Sequence, residues 1–229
     1  MKNLLGLLSV LTMLLVGVSA CNDSIDGPHG QDEEGRDAKV TDYYYYSHGE
    51  EKVYLSLNTK YAFLSVKEPQ LPANIAQRGI NATEFHSDNG DKYQYKGAFG
   101  THRYYTRLNI EKKLSEKEYF ELLSDIKRQN KDAIIAPYFW LGKYEVGLFT
   151  SFSVKLKEEK DTDILEKMAE QTGCRIIAQN ASMPSWFDLS VTEASELNTL
   201  ECVSFFYDSG LFEAAEPGFV PVGVIDISN

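Results

Sequence analysis

Between residues 148 and 215 the spacing of apolar side chains changes from two to about 3.6 and back, twice over. Phe152, Val154 and Leu156 alternate with Ser153, Lys155 and Lys157, which is the pattern of a half-buried strand. Asp161 or Thr162 is placed to cap a helix whose apolar positions are Ile164, Leu165 and Met168, and Gly173 follows in the position where a left-handed residue ends a helix. Residues 174–179 and 186–191 read as strands on either side of a turn at 180–184. Thr192 is placed to cap a second helix carrying Leu197, Leu200, Val203 and Phe206, with Gly210 at its exit. Residues 211–215 form a last short strand, closed by Glu216 and Pro217.

The order strand, helix, strand, strand, helix, strand predicts a ferredoxin-like sandwich over residues 146–220, with both helices on one face of an antiparallel sheet. A second, mixed α+β domain is expected over residues 40–145. Its signals are the tyrosine run at 43–46, β-rich stretches at 53–57 and 61–66 separated by Asn58-Thr59-Lys60, and an aromatic strand at 102–110. Ser115 and Glu118 make a capping box for a helix bearing Tyr119, Leu122, Leu123 and Ile126. A buried strand at 133–140 follows, and Gly142 and Gly147 read as turn residues. Residues 69–79, broken by Pro69, Pro72 and Gly79, have no clear assignment, and no internal repeat is visible. The fold class is therefore α+β in two parts, expected to be monomeric.

Residues 1–20 carry Lys2, an apolar run at 4–18 and then Ser19-Ala20 before Cys21. The layout is that of a signal peptide, and the run is shorter than the roughly 20 residues a membrane span needs. Val18-Ser19-Ala20-Cys21 resembles the lipobox of bacterial lipoproteins. That resemblance implies that Cys21 is the first mature residue and carries lipid, which places the protein in the cell envelope, outside the cytoplasm, at an outer membrane or cell surface. Residues 21–39 are polar, acidic and glycine-containing, as expected of a flexible stalk.

The net charge of −11 and the pI near 4.9 argue against nucleic acid, whose phosphates would be repelled. Catalytic patterns are missing. His29, His48, His86 and His102 have no metal-ligand spacing, and the sequence has no GxSxG elbow or Walker loop. No metal or cofactor is expected, and the chain does not read as an enzyme. Cys174 and Cys202 either pair in an oxidising compartment or serve as small buried apolar residues. The tyrosine run is either a sugar-stacking surface or, the favoured reading, an edge strand with tyrosines on both faces.

Residues 198–219 end in Tyr207-Asp208-Ser209-Gly210 and Leu211-Phe212-Glu213-Ala214-Ala215-Glu216-Pro217. This segment, with the strand at 152–156 and the helix at 163–173 before it, resembles the prodomain of subtilisin-like serine proteases. The upstream region resembles the N-terminal extension of such prodomains in secreted proteases of gut-type Bacteroidetes. The resemblance implies a stand-alone prodomain-like binder that inhibits or chaperones a subtilisin-like protease, since no catalytic domain accompanies it in this sequence. It further implies that Glu213 and Glu216 meet helix N-termini of the protease. Phe219, Val220, Pro221 and Val222, which lead into a tail at 221–229, would enter its cleft as an added strand. The alternative is a surface lipoprotein that binds protein or glycan through its aromatic N-terminal sheet.

Overall fold

The computed structural model describes residues 42–87 and 103–221. Within them lie ten strands and four helices: β1 (Tyr43–Ser47), β2 (Glu51–Val66), α1 (Ala73–Ala76), β3 (Ile80–Ala82), β4 (His86–Ser87), β5 (Tyr104–Ile110), α2 (Glu116–Gln129), β6 (Ile134–Leu141), β7 (Tyr144–Leu156), α3 (Thr162–Thr172), β8 (Cys174–Gln179), β9 (Trp186–Val191), α4 (Thr199–Asp208) and β10 (Phe212–Pro221). The protein is thus mixed α and β, and its described strand pairings are antiparallel. The expected signal peptide, Cys21, the expected stalk and residues 222–229 lie outside the described residues.

One sheet runs β3-β5-β2-β6-β7-β9-β8, with β10 on β7, β1 on β2 and β4 on β5. Residues 40–145 and 146–220 meet in it, because β6 and β7 form a hairpin pairing Leu141 with Tyr144 around Gly142 (φ 59°). The two parts also share a connection scheme that the sequence hides. In the C-terminal part, β7-α3-β8-β9-α4-β10, the spatial order is second strand, third, first, fourth. In the N-terminal part, β2-α1-β3-β5-α2-β6, the order β3-β5-β2-β6 is the same.

Helix α2 starts where expected. Ser115 N donates to Glu118 Oε2 at 2.9 Å, Glu118 N donates back to Ser115 Oγ, and Tyr119, Leu123 and Ile126 face inward. The start of α4 is a correction. Its cap is Asn198, whose side chain accepts from Leu200 N and Glu201 N, while Glu201 Oε2 accepts from Asn198 N. Thr192 instead donates its hydroxyl to Gly173 O at 2.7 Å, seven residues before the helix begins. The two stretches read as separate strands at 53–57 and 61–66 are one strand, β2. The expected turn at Asn58-Thr59-Lys60 is absorbed as an irregularity opposite β6 between Leu57 and Ala62, and Lys60 N donates to Asn58 Oδ1. Gly147 is not a turn: it lies within β7, where an added Cβ would sit 2.7 Å from the Tyr138 ring.

Three buried clusters hold the sheet. One packs Phe152, Val154 and Leu189 against α3 and α4, with Phe206 fully enclosed. A second packs Leu64, Leu108 and Ile135 against α1 and α2 around Ile75 and Tyr119. The third lies across β2 from the second and joins Phe63, Phe139 and Leu148 to Tyr43 and Tyr45 of β1 and to Phe219 and Val220 of β10. Residues 62–66 of β2 are buried on both faces because clusters sit above and below them.

Candidate ligand-binding site

The sequence places the protease-contacting residues at a short strand followed by a free tail. The structure corrects this, because β10 continues through Pro217 to Pro221 and pairs with β7. Phe219 lies opposite Leu148, Val220 opposite Gly147 and Pro221 opposite Val146. The prolines are accommodated because β10 uses only its β7 side for pairing and carries irregularities after Phe212 and Pro217. Gly218 is the small residue this requires, since a Cβ there would lie 2.6 Å from Ser151 O. Phe219 packs its ring 5.8 Å from that of Tyr45. Val222 lies outside the described residues.

The two acids are also engaged within the chain. Glu213 accepts from Lys155 Nζ at 2.7 Å on the open face of the sheet. Glu216 accepts from the backbone N of His48 at 2.6 Å, with His48 Nδ1 3.3 Å away. His48 and Gly49 make the β1–β2 turn, both with positive φ (52° and 76°), and Tyr207 donates its hydroxyl to Gly49 O at 2.9 Å. The tail strand, the tyrosine ribbon and α4 are therefore fastened together at this turn.

The tyrosine run divides by face, as strand alternation requires. Tyr43 and Tyr45 pack inward, and Tyr43 donates to Glu116 Oε1 at 2.8 Å. Burial, then this carboxylate, raises the Tyr43 phenol above its ordinary range. Burial and then Glu216 raise that of Tyr45. Tyr44 and Tyr46 lie on the other face and meet edge to face at 5.7 Å. Lys52 Nζ sits 3.6 Å above the Tyr44 ring and 4.9 Å from that of Tyr54, which is 57% exposed. Tyr46 stacks on Tyr207 of α4 with ring centroids 4.5 Å apart.

Between β1 and α4 lies an open cleft of about 420 Å³. Tyr43, Tyr44, Leu200 and Phe205 supply apolar walls, and Asp42, Glu201 and Ser204 supply polar groups. Phe205 is 44% exposed, although it is a large apolar residue at a helix surface. The volume falls within the roughly 300–1,000 Å³ of small-ligand sites, which combine apolar walls with a few polar groups. Sequence reasoning pointed to the tyrosines but missed Phe205 and Ser204. Their helical positions gave no sign that β1, some 150 residues earlier in the chain, would lie beside them.

The remaining candidates do not form a reactive centre. Arg103 is nearly enclosed. Its guanidinium donates to Ser65 Oγ and Ser65 O at 2.9 Å, Asp132 O at 2.7 Å and Glu193 Oε1 at 2.7 Å, so it ties four segments together. The void beside it is about 20 Å³, room for about one water. His86 lies on β4 against Tyr105, His48 lies in the turn, and His29 and His102 fall outside the described residues. Among the described residues no group of His, Cys, Asp and Glu is arranged to hold a metal, and no helix is long and apolar enough to cross a membrane.

No known protein family matches the chain, and no curated protein is similar to it. Among solved structures, one described as a "putative glycine cleavage system transcriptional repressor" matches over 70% of this chain and 96% of its own, at 13% identity and a TM-score of 0.22. A score that low carries no argument about function.

Proposed function

We propose that the protein is a non-enzymatic binding module of the cell envelope that holds a neutral glycan in the cleft between β1 and α4. The observation that carries this reading is the juxtaposition of exposed Phe205 and half-buried Tyr44 with Asp42, Glu201 and Ser204 around an open cleft. Aromatic rings pack against the C–H faces of a sugar, and carboxylate and hydroxyl oxygens accept its hydroxyl protons. The acidic rim and the net charge of −11 disfavour an anionic glycan. In this reading the chain is exported, held by lipid on Cys21, and works as a monomer without cofactor. The test is binding of the mature chain to an array of neutral oligosaccharides, repeated with Phe205→Ala and Tyr44→Ala. Loss of binding in both variants, with the unfolding midpoint kept, is expected. Binding that survives both, or none by the parent, refutes the reading.

A second reading has its own support. The order β10-β7-β9-β8 with α3 and α4 as crossovers is that of a ferredoxin-like unit, the fold implied by the resemblance to subtilisin prodomains. Its open face carries Ser153 hydrogen-bonded to Asp188 and Lys155 paired with Glu213, a polar surface suited to a protein partner. A product-like tail would have to peel residues 219–221 from β7, so any inhibition would come from residues after Pro221 or from this face. Assay of a panel of subtilisin-like proteases with the mature chain and with a chain ending at Pro221 separates the two. Inhibition by neither chain removes this reading for the panel tested.

A further inference from the structure

We propose that Cys174 and Cys202 are the two halves of a disulfide that forms when the folded chain meets an external disulfide as oxidant, stapling the start of β8 to α4. Their sulfurs lie 3.6 Å apart, in contact but unbonded. They are brought together by groups 28 residues apart in sequence, and the local framework is rigid. Gly173 turns the chain out of α3 with φ 64°, and a Cβ there would lie 3.0 Å from the Ala194 carbonyl and Ser195 N. The hydroxyls of Thr192 and Ser195 both donate to Gly173 O at 2.7 Å, and Thr192 N donates to Ser195 Oγ at 2.9 Å. These bonds clamp the β9–α4 loop onto the turn that carries Cys174. Asn198 then fixes the first turn of α4, where Cys202 points into the core. Closing the bond to about 2.05 Å therefore asks for small side-chain movements at two anchored positions.

The chemistry also assigns the order of attack. Cys174 is half-buried and reachable, whereas Cys202 is fully enclosed. The hydrogen bond from Cys202 holds the Cys174 thiol below its ordinary range, against the opposing effect of burial. The same hydrogen bond and burial push Cys202 up. Cys174, the less buried and the more readily ionised of the two, thus supplies the attacking thiolate. It attacks one sulfur of an external disulfide, expelling a thiolate and leaving a mixed disulfide on Cys174. Cys202 then gives its proton to solvent and attacks Cys174 Sγ, expelling the second thiolate. The protein dithiol loses two electrons and two protons in all, and the external disulfide is reduced to two thiols. An envelope location would supply such an oxidant, but the chemistry stands apart from the glycan reading and is tested without it.

The experiment uses the full chain with Cys21→Ala, so that the pair supplies all remaining thiols. The folded protein is incubated with glutathione disulfide at pH 7.5, denatured, alkylated and digested without reduction. A peptide linking Cys174 to Cys202, absence of alkylated cysteine, and a melting temperature higher by roughly 5–10 °C than that of the reduced form are expected. Cys202→Ala should instead stop at glutathione held on Cys174. Cys174→Ala should leave Cys202 unreacted while the protein is folded. Recovery of both cysteines as alkylated thiols from oxidised, folded parent protein overturns the proposal. So does a dimer joined through Cys174 in place of the internal link.

Discussion

Replacing Gly49 by alanine tests whether the tyrosine ribbon is truly seated on the tail strand. Gly49 has φ 76°, and an alanine Cβ at this position would lie 2.2 Å from Glu213 O and 3.3 Å from the Glu213 carbonyl carbon. Two separate costs follow. The left-handed conformation costs an alanine about 1–2 kcal/mol. The contact is with backbone, which cannot rotate away, so the turn must lift off β10. Lifting weakens the Tyr207 hydroxyl bond to Gly49 O, worth about 0.5–1.5 kcal/mol, and the bond from His48 N to the Glu216 carboxylate. The sum is about 3–5 kcal/mol. Gly79 is the matched control. Its φ is 74°, yet nothing lies within 4 Å of an added Cβ, so Gly79→Ala bears the conformational cost alone. Urea unfolding of both variants, read as free energies at a common slope, isolates the steric part. Gly49→Ala is expected to be less stable than Gly79→Ala by at least about 2 kcal/mol. Equal losses would refute the close seating of the β1–β2 turn on β10, and with it the geometry of the cleft that β1 helps to wall.

Two further outcomes follow from buried polar groups. Arg103→Met strands Ser65 O and Asp132 O without their donor and is expected to cost about 2–4 kcal/mol by chemical unfolding; the value sits below that of a fully buried pair because Glu193 keeps 32% of its side chain in water. A loss under about 0.5 kcal/mol would show that the four segments hold together without the guanidinium. Burial pushes the Tyr138 phenol up from its ordinary value near 10 to about 12, with Arg107 opposing and Glu145 adding to the shift. A raised pKa means that the protonated phenol favours the folded state, so this contribution is complete below pH 10 and is lost as pH rises toward 12. Tyr138→Phe should therefore flatten the fall in stability across that window, measured by urea midpoints at successive pH values; an unchanged slope would contradict the burial of that hydroxyl.

The secondary structure of the C-terminal part was legible because its signals are local. Alternation at 152–156, the left-handed Gly173 and the helix exit at Gly210 each act within one turn or strand. So does the Ser115–Glu118 box of α2. The start of α4 was misplaced although Asn198 and Glu201 spell a capping box; Thr192, an equally good cap residue, lay nearer the preceding strand and is used instead to tie its loop to Gly173. The end of β10 was misplaced because Pro217 reads as a stop, and only an available edge on β7 turns it into a tolerated strand residue.

By itself the amino-acid sequence determined the α+β class, most elements, the absence of familiar catalytic motifs and the acidity of the chain. Caps, glycine exits and hydrophobic periods operate over a few residues, so they can be read without knowing where the chain returns. The tertiary structure alone decided that both parts use one connection scheme within a single sheet. It also decided that the expected free tail is paired through Pro221, that Glu213 and Glu216 have partners within the chain, and that Tyr44 and Phe205 line one cleft. These depend on contacts between segments tens to well over a hundred residues apart. Such contacts follow from which faces of the elements must be covered together, and that is a property of the assembled core.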